Sequence, residues 1–422
     1  MRIIDARNRP AINRLVAPKS AADAALVRRV RRIVDEVRRN GDRALVRFAR
    51  RFDGIEGAIE IDRDRMLELA GRASPDVRRA IRDSARHIAR VAAQQLPKHL
   101  DIRVLPGVTV EQRVEPLARV GCYVPGGRFP LPSSLLMTAV PARVAGVPHI
   151  VAVCPRPEPA VMAAAVEAGV ERLFCIGGAH AIAALAYGTR TVPRVDKIVG
   201  PGNRYVATAK ALVAADCAID FYAGPTEIVV VAGAGNAAWV AADLVAQAEH
   251  DPDARSILVT WNRPFARRVA DEVRARGAGN AIVRQSLARH GAIVMVRDAV
   301  EAMTLANRLA PEHLVVDRES LLNGPIVAGA VFVGAYAAQA AGDYASGSNH
   351  VLPTAGAARF RGGLHAADFV RVMAVQRITR EGLARLAPTI LPLARAEGLT
   401  AHAASISIRL DTRPKTRDQR PS

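Results

Sequence analysis

Aromatic residues are scarce in this sequence and make up 4% of it. Proteins that bind single-stranded nucleic acids stack the bases on aromatic side chains, so the scarcity disfavours that class. Lysine is also scarce, and arginine supplies most of the positive charge behind the net charge of +19. The basic residues are spread along the chain and form no single stripe, which further disfavours a nucleic-acid partner. A basic surface can still steer an anionic cofactor.

Cysteine is rare as well. The four cysteines, Cys122, Cys154, Cys175 and Cys217, are scattered and form no Cys-x-x-Cys pair. This spacing indicates neither a zinc knuckle nor a disulfide framework. Cys122 lies beside a glycine-rich turn, but we expect it to be a small buried apolar residue and not a nucleophile.

Long apolar runs are absent. No uninterrupted stretch approaches the roughly 18 residues that a membrane-spanning helix needs. The start, Met1-Arg2-Ile3-Ile4-Asp5, lacks the apolar region of a signal peptide. We therefore expect a cytoplasmic protein without a membrane partner.

The length of 422 residues predicts two or more domains. From residue 117 onward, short apolar runs alternate with helical stretches, which is typical of parallel sheets built from βαβ units. The predicted strands are 117–124, 149–154, 172–177, 195–199, 227–232, 256–260, 292–296 and 313–317. Because one sheet could not easily hold them all, we expect two α/β units.

The remaining segments are predicted from their periodicity. Residues 20–52 have valines at helical spacing between arginines, which predicts an amphipathic helix interrupted near Asn40-Gly41. Residues 366–402 are predicted to be helical, and 405–410 to form a terminal strand.

Three glycine-rich turns each join a predicted strand to a helix: Tyr123-Val124-Pro125-Gly126-Gly127, Ile176-Gly177-Gly178-Ala179-His180 and Val199-Gly200-Pro201-Gly202-Asn203. Backbone N–H groups at a helix N-terminus bind anions, and glycine permits close approach. Tight strand-to-helix connections also need glycine, so an ordinary structural role stays open. Together the turns indicate a nucleotide-binding unit within 120–205. Gly233-Ala234-Gly235-Asn236 lacks the third glycine of the dinucleotide motif and is interpreted as an ordinary turn.

Several metal-ligating residue types lie in the second half of the chain. Gln247 and His250 are three residues apart on a predicted helix, so both can project from one face. Asp343 lies in a loop rich in Gly and Ser, and His402 follows Glu397 near the end. Two imidazoles, a carboxylate and an amide oxygen can form a zinc site with room for substrate. Structural roles for the same residues remain open.

The dipeptide Glu312-His313 lies in Ala310-Pro311-Glu312-His313-Leu314. Imidazole titrates near neutrality and is suited to removing a hydroxyl proton. The neighbouring glutamate could activate a water molecule. The alternative is a surface pair at a helix-to-strand junction.

Taken together, these segments resemble those of the histidinol dehydrogenase family. The matching segments span most of the chain in the family's order: 120–127, 199–203, 223–227, 247–250, 310–314, 342–353 and 397–402. The resemblance implies a homodimer that oxidises L-histidinol through L-histidinal to L-histidine, using NAD and one Zn²⁺ per subunit.

The resemblance also implies an α/β fold with two incomplete Rossmann-like domains, similar to aldehyde dehydrogenases. The implied segments are an N-terminal segment 1–16, a first domain of 17–122 plus 227–364 with most zinc and catalytic residues, an NAD-binding domain 123–226, and a dimerisation segment 365–422.

By matching position, the resemblance assigns roles to individual residues. Glu312 and His313 would be catalytic. Zinc would be held by Gln247, His250, Asp343 and His402, the last reaching the partner subunit's site. The implied substrate contacts are Thr226, Gln247, His250, His313, Asp343, His350, Glu397 and His402. The implied NAD contacts are Tyr123, His180 and Asn203.

One residue departs from the family pattern, because His180 stands where the family often has Gln. Imidazole can still form a hydrogen bond, so His180 is kept as a cofactor candidate. Two alternatives remain open: a related zinc- and NAD-dependent dehydrogenase acting on another polyol such as sulfopropanediol, and a non-catalytic basic binding protein. The latter would need none of these ionisable residues.

Overall fold

The structure is a computed structural model that describes residues 1–17, 23–126, 130–221 and 224–411. It divides into two compact units. The first comprises Met1–Gln95 and Leu117–Phe369, and the second comprises Leu96–Pro116 together with the chain from Val370 onward.

The strands of the described residues are β1 (Arg2–Asp5), β2 (Glu60–Ile61), β3 (Leu100–Leu105), β4 (Val108–Pro116), β5 (Arg119–Tyr123), β6 (His149–Val153), β7 (Arg172–Phe174), β8 (Lys197–Val199), β9 (Ala218–Ile219), β10 (Glu227–Val231), β11 (Arg255–Thr260), β12 (Ala292–Met295), β13 (His313–Val316), β14 (Ala330–Val333) and β15 (Val370–Ile378). The α-helices are α1 (Arg9–Val16), α2 (Ala24–Phe48), α3 (Arg63–Gly71), α4 (Pro75–Gln94), α5 (Pro132–Val144), α6 (Pro159–Ala168), α7 (Gly178–Tyr187), α8 (Arg204–Val213), α9 (Ala237–Glu249), α10 (Arg263–Gly277), α11 (Ala281–His290), α12 (Ala299–Leu309), α13 (Gln339–Tyr344), α14 (Arg380–Ala396) and α15 (Thr400–Leu410).

Sheet A of the first unit has the strand order β1-β12-β11-β10-β13-β14, and all neighbouring strands are parallel. Its central strands are runs of Val, Ile and Leu that are buried along their length. This is the pattern of a parallel sheet that helices cover on both faces. From β10 the chain moves outward to β11 and β12 and then returns to β13 on the other side of β10. The strand order therefore reverses between β10 and β13.

Sheet B of the first unit has the order β2-β7-β6-β5-β8-β9, which is parallel except for β2. Its order reverses between β5 and β8. In open α/β sheets, ligands bind at the carboxyl ends of the strands beside such a reversal. The predicted α/β class is confirmed, and each predicted strand of 117–317 has a counterpart in one of these sheets.

Helix α2 shows how the predicted amphipathic pattern packs. Val30, Val34 and Val37 are buried, whereas the arginines between them face solvent. The valines belong to the same apolar cluster as residues of α7. Gly41 interrupts the helical backbone, as predicted, and a π-helical turn at Ala49–Asp53 follows. Residues 20–22 of the predicted helix lie outside the described residues.

The second unit contains the antiparallel sheet β15-β4-β3 and the helices α14 and α15. Two predictions were wrong here. Val370–Ile378 was predicted to be helical but is a strand, paired with β4 along its whole length. Residues 405–410 were predicted to be a strand but belong to α15. Residues 405–410 alternate polar and apolar side chains, which is the period of a strand. Most side chains of both segments are exposed, so the apolar pattern does not mark a buried face in either of them.

Within the described residues, we find no helix whose length and apolar character would allow it to cross a membrane.

Candidate active site

Glu312 and His313 lie at the amino edge of sheet A. Helix α12 ends at Leu309, its C-cap Ala310 has a left-handed backbone (φ 48°), and β13 begins at His313. In the parallel register, His313 lies beside Ile228 of β10. Thr226 and Glu227, at the start of β10, therefore lie next to the dipeptide, and both side chains of the dipeptide are buried.

The Glu312 carboxylate is held by two donors. Its Oε2 accepts the Thr226 hydroxyl at 2.5 Å and the Glu227 backbone N–H at 2.9 Å. Burial raises the pKa of Glu312 to about 7, although both hydrogen bonds oppose the rise. Desolvation thus prevails over hydrogen bonding. A carboxyl group with such a pKa can exchange a proton near neutrality.

His313 is oriented by a backbone carbonyl. Its Nδ1 lies 3.1 Å from the Glu227 carbonyl oxygen, which can only accept, so Nδ1 carries the proton in the neutral ring. Burial lowers the pKa of His313. The ring is therefore neutral at pH 7, and Nε2 presents the lone pair of a base.

Gln339 connects His313 to Asp343. Its Nε2 lies 3.3 Å from His313 Nε2 and donates to Asp343 Oδ2 at 2.8 Å. The opposite amide orientation would face an oxygen towards the Asp343 carboxylate. Sequence reasoning missed this buried residue. Its four-residue spacing from Asp343, one helical turn, was an available signal.

Gln247 shows where a cation could bind. The side chain is fully buried on α9, and its Nε2 donates to Thr226 Oγ1 at 2.5 Å. Its Oε1 is buried and has no hydrogen-bond partner. An unpartnered buried carbonyl oxygen is costly unless something satisfies it, and a metal ion would do so.

Asp343 and His250 are the other predicted metal ligands near Gln247. Asp343 is largely buried, and burial raises the pKa of its carboxyl group. His250 is exposed just beyond α9 and interacts electrostatically with Asp343, Glu312 and His313. The described part of the chain contains no cluster of three or more His, Cys, Asp or Glu able to hold a metal. Gln247, His250 and Asp343 offer one amide, one imidazole and one carboxylate as candidate donors, and metal binding by them stays a prediction.

His350 joins this edge to sheet B. Its Nδ1 lies 3.1 Å from the Asp343 backbone oxygen, and its Nε2 lies 3.5 Å from Ser134 Oγ on α5. The neighbouring Asn349 donates to the Met137 carbonyl oxygen on the same helix at 2.7 Å. Burial lowers the pKa of His350 to about 4, so this imidazole is neutral. Because α5 follows the first glycine-rich turn, His350 and Asn349 connect Asp343 to the helix that comes after that turn.

The glycine-rich turns lie at the carboxyl edge of sheet B, beside the reversal between β5 and β8. The Tyr123 hydroxyl accepts the Gly178 N–H at 3.1 Å. Gly200 has φ +120°, and a Cβ there would lie 2.2 Å from the Tyr123 backbone oxygen, so only glycine fits. The Asn203 side-chain oxygen caps α8. Gly127 of the first turn lies outside the described residues.

The imidazole of His180 is turned away from solvent. The ring is buried beneath the second turn, and its Nε2 lies 2.8 Å from Asp53 Oδ2. Direct contact between His180 and a cofactor remains a prediction.

Glu397 and His402 belong to the second unit. Glu397 caps the C-terminus of α14, and His402 lies in the first turn of α15. Both are exposed.

Comparisons with known proteins agree with one another. A sequence model of the histidinol dehydrogenase family matches residues 17–410. A histidinol dehydrogenase of Pseudomonas aeruginosa is 45% identical over 415 residues, which cover 94% of this chain and 94% of that protein. Another, from Methanothermobacter thermautotrophicus, is 44% identical over 392 residues, which cover 90% and 92%. A crystal structure of histidinol dehydrogenase from Elizabethkingia anophelis superposes with a TM-score of 0.92 at 31% identity, covering 97% of this chain and 98% of that one.

Proposed function

The chain belongs to the histidinol dehydrogenase family, and we propose that it oxidises L-histidinol through L-histidinal to L-histidine with two NAD per substrate. The single observation that carries the proposal is the buried Glu312-His313 pair. It places a neutral imidazole and a carboxyl group of pKa about 7 side by side, with His313 Nδ1 and Glu312 Oε2 3.7 Å apart. Oxidation of an alcohol to an acid through an aldehyde removes one proton from the alcohol and one from water, and this pair offers an acceptor for each.

The first step removes the hydroxyl proton of the alcohol. His313 Nε2 accepts this proton, because Nδ1–H remains on the Glu227 carbonyl oxygen. The Gln339 amide, 3.3 Å from Nε2, would give way to the substrate hydroxyl. The positive charge that develops on the imidazole is stabilised by Asp343, whose charge raises the pKa of His313.

The second step adds water to the aldehyde, and the hydrate anion that forms then loses its hydride and leaves the carboxylic acid. Glu312, when ionised, accepts a proton from that water, while Thr226 and the Glu227 N–H hold the carboxylate in place. The two residues are assigned to different steps because they are adjacent in the chain, and adjacent side chains point in different directions. Glu312 ends the connection from α12, and His313 begins β13.

The cofactors are part of the proposal. Zinc would be held by Gln247 Oε1, His250 and Asp343, with His402 of the partner subunit as the fourth ligand, and Glu397 would contact substrate in the same partner site. When bound, zinc orients the amine and imidazole of the substrate and NAD accepts the hydride of each oxidation. Tyr123 and Asn203 would contact NAD at the carboxyl edge of sheet B. The enzyme would act in the cytoplasm.

The test is NADH formation by the purified, zinc-loaded protein with L-histidinol and NAD. We expect about two NADH per histidinol consumed, the ratio for two successive hydride transfers. Turnover of sulfopropanediol, assayed in parallel, with none of histidinol would assign the protein to a related polyol dehydrogenase and would refute the proposal.

Removal of zinc should abolish histidinol oxidation. Replacing Gln247 with leucine should weaken zinc binding. Leucine is similar in size to glutamine but lacks the unpartnered Oε1, and it also lacks the Nε2 that donates to Thr226. Bound zinc, measured after gel filtration, should fall well below one per subunit in this variant. Gln285→Leu is the matched control, because Gln285 is exposed on α11, and it should retain zinc. Full zinc content in Gln247→Leu would exclude Gln247 as a ligand.

A mixture of two inactive variants should recover activity if His402 serves the partner's site. Gln247→Leu and His402→Ala each damage both sites of a homodimer. A mixed dimer has one doubly damaged site and one intact site, so random pairing should restore about a quarter of wild-type turnover. No recovery after subunit exchange, checked by mass spectrometry of the dimers, would show that His402 acts within its own subunit.

A further inference from the structure

Two of the three glycine-rich turns donate a backbone hydrogen bond to a buried carboxylate. Neither carboxylate was identified from the sequence. The N–H of Gly177 donates to Asp53 Oδ2 at 3.0 Å, and the N–H of Gly200 donates to Asp220 Oδ2 at 2.8 Å. Asp53 comes from the π-helical turn after α2, and Asp220 follows β9. In each case a carboxylate distant in sequence, 124 or 20 residues away, holds the backbone of a turn.

Each carboxylate also has a buried nitrogen partner. Asp53 Oδ2 is shared between the Gly177 N–H and His180 Nε2, with the His180 and Asp53 side chains 2% and 9% exposed. Lys210 Nζ donates to Asp220 and also to the Gly200 carbonyl oxygen at 2.7 Å. The two turns are thus built in the same way, with imidazole in one and ammonium in the other.

The rings of Phe48 and Phe52 lie beside the His180 ring, and Phe52 is itself half exposed. Their centroids lie 5.9 Å and 6.0 Å from that of the His180 ring. Burying a polar pair in such a setting gains little stability over apolar side chains of similar volume. The pair does fix the position of the turn, because Asp53 accepts the hydrogen bond from the Gly177 N–H.

The next N–H groups of the turn are the ones that a ligand could use. Gly177 and Gly178 donate to Asp53 and Tyr123. Ala179 and His180 follow in the first turn of α7, where backbone N–H groups have no acceptor within the helix. Such groups bind the phosphates of a dinucleotide.

We infer that Asp53 and His180 are positioning residues for the second glycine-rich turn, and that His180 promotes binding of the NAD diphosphate through Asp53 and not by contact. The inference rests on the proposed function in one respect, which is that the ligand of this turn is NAD. It explains how a histidine can stand at position 180, where the family often has Gln, because the ring needs only to donate a hydrogen bond to Asp53.

The experiment is a double-mutant cycle of Asp53→Ala and His180→Ala in the full-length, zinc-loaded enzyme. We expect each single variant to raise the KM for NAD about tenfold, as for loss of a hydrogen bond to a charged group. The kcat and the KM for histidinol should stay within about twofold. The double variant should resemble either single one, since both remove the same unit.

Two further variants separate positioning from contact. His180→Gln offers an amide N–H to Asp53 and should restore most of the NAD affinity. His149→Ala is the matched control, because His149 pairs with Glu171 at 2.9 Å at the amino end of β6, away from the turns. It should leave the KM for NAD unchanged.

Binding of NAD without turnover, measured by calorimetry, separates this inference from the proposed function. If Asp53→Ala does not fold, Asp53→Asn is measured instead and should also lose affinity, because a neutral amide oxygen accepts the two hydrogen bonds more weakly than a charged carboxylate oxygen. Unchanged NAD affinity in the Asp53 variant, or independent effects that multiply in the double variant, would overturn the inference. Absence of histidinol turnover in the wild type, with NAD affinity still dependent on Asp53, would refute only the proposed function.

Discussion

Replacing His313 with asparagine should lower kcat for histidinol oxidation by about 10²–10⁴-fold, the range for loss of a general base. The asparagine side chain can still donate to the Glu227 carbonyl oxygen, as His313 Nδ1 does, but it has no basic lone pair where Nε2 lies. The position therefore stays filled and oriented while the proton acceptor is lost.

The measurement is NADH formation in each half-reaction separately, with L-histidinol or L-histidinal as substrate. Oxidation of added histidinal should remain within about tenfold of wild type, because that step draws its proton acceptor from Glu312. Equal losses in both half-reactions would contradict the division of labour between the two residues.

The wild-type alcohol step should also remain active in mildly acidic solution. A base must be unprotonated, and burial lowers the pKa of His313 below its ordinary value. As the pH falls, the imidazole therefore stays neutral past the point where an exposed histidine becomes charged.

Replacing Glu312 with glutamine should have the opposite selectivity. Oxidation of histidinal should fall by about 10²–10⁴-fold, while the alcohol step loses much less. Glutamine still accepts the hydrogen bonds from Thr226 and the Glu227 N–H that Glu312 accepts, so the local structure should persist. What disappears is the carboxylate that takes a proton from water.

The pH profile gives a second readout of Glu312. Burial raises the pKa of Glu312 to about 7, so the carboxyl group is protonated below that pH and ionised above it. Because the ionised form is the base, kcat/KM for histidinal should rise with pH through about 7 in the wild type. In Glu312→Gln this rise should be absent. A rise that persists in the variant would assign the ionisation to another group.

Local patterns were sufficient for much of the fold. Eight strands of sheets A and B, β5 to β8 and β10 to β13, were predicted because their Val- and Ile-rich runs are short and bounded by turn residues. The edge or short strands β1, β2, β9 and β14 were not predicted. The open alternative for Glu312-His313 was a surface pair at a helix-to-strand junction. The structure contains the junction, but both side chains are buried. The prediction of a helix in the second unit was wrong for Val370–Ile378. This segment is a strand because it pairs with β4, and its own sequence has no clear apolar period.

The partners of the reactive groups could not be predicted. Thr226 and Glu312 are 86 residues apart, and Gln339 lies 26 residues from His313. Asp53 and His180 are 127 residues apart. These contacts depend on strand order and on how a helix end meets a sheet edge, which no local pattern records.

The sequence by itself determined the α/β class, the glycine-rich turns, the residue types of the site and the family. Each of these depends on neighbours in the chain, through periodicity, turn chemistry or ordered motifs. Only the tertiary structure decided which nitrogen of His313 carries the proton, why the pKa of Glu312 rises to about 7, and that Gln247 Oε1 lacks a partner. Protonation and hydrogen-bond satisfaction are set by burial and by contacts between segments far apart in sequence, so they exist only once the chain has folded.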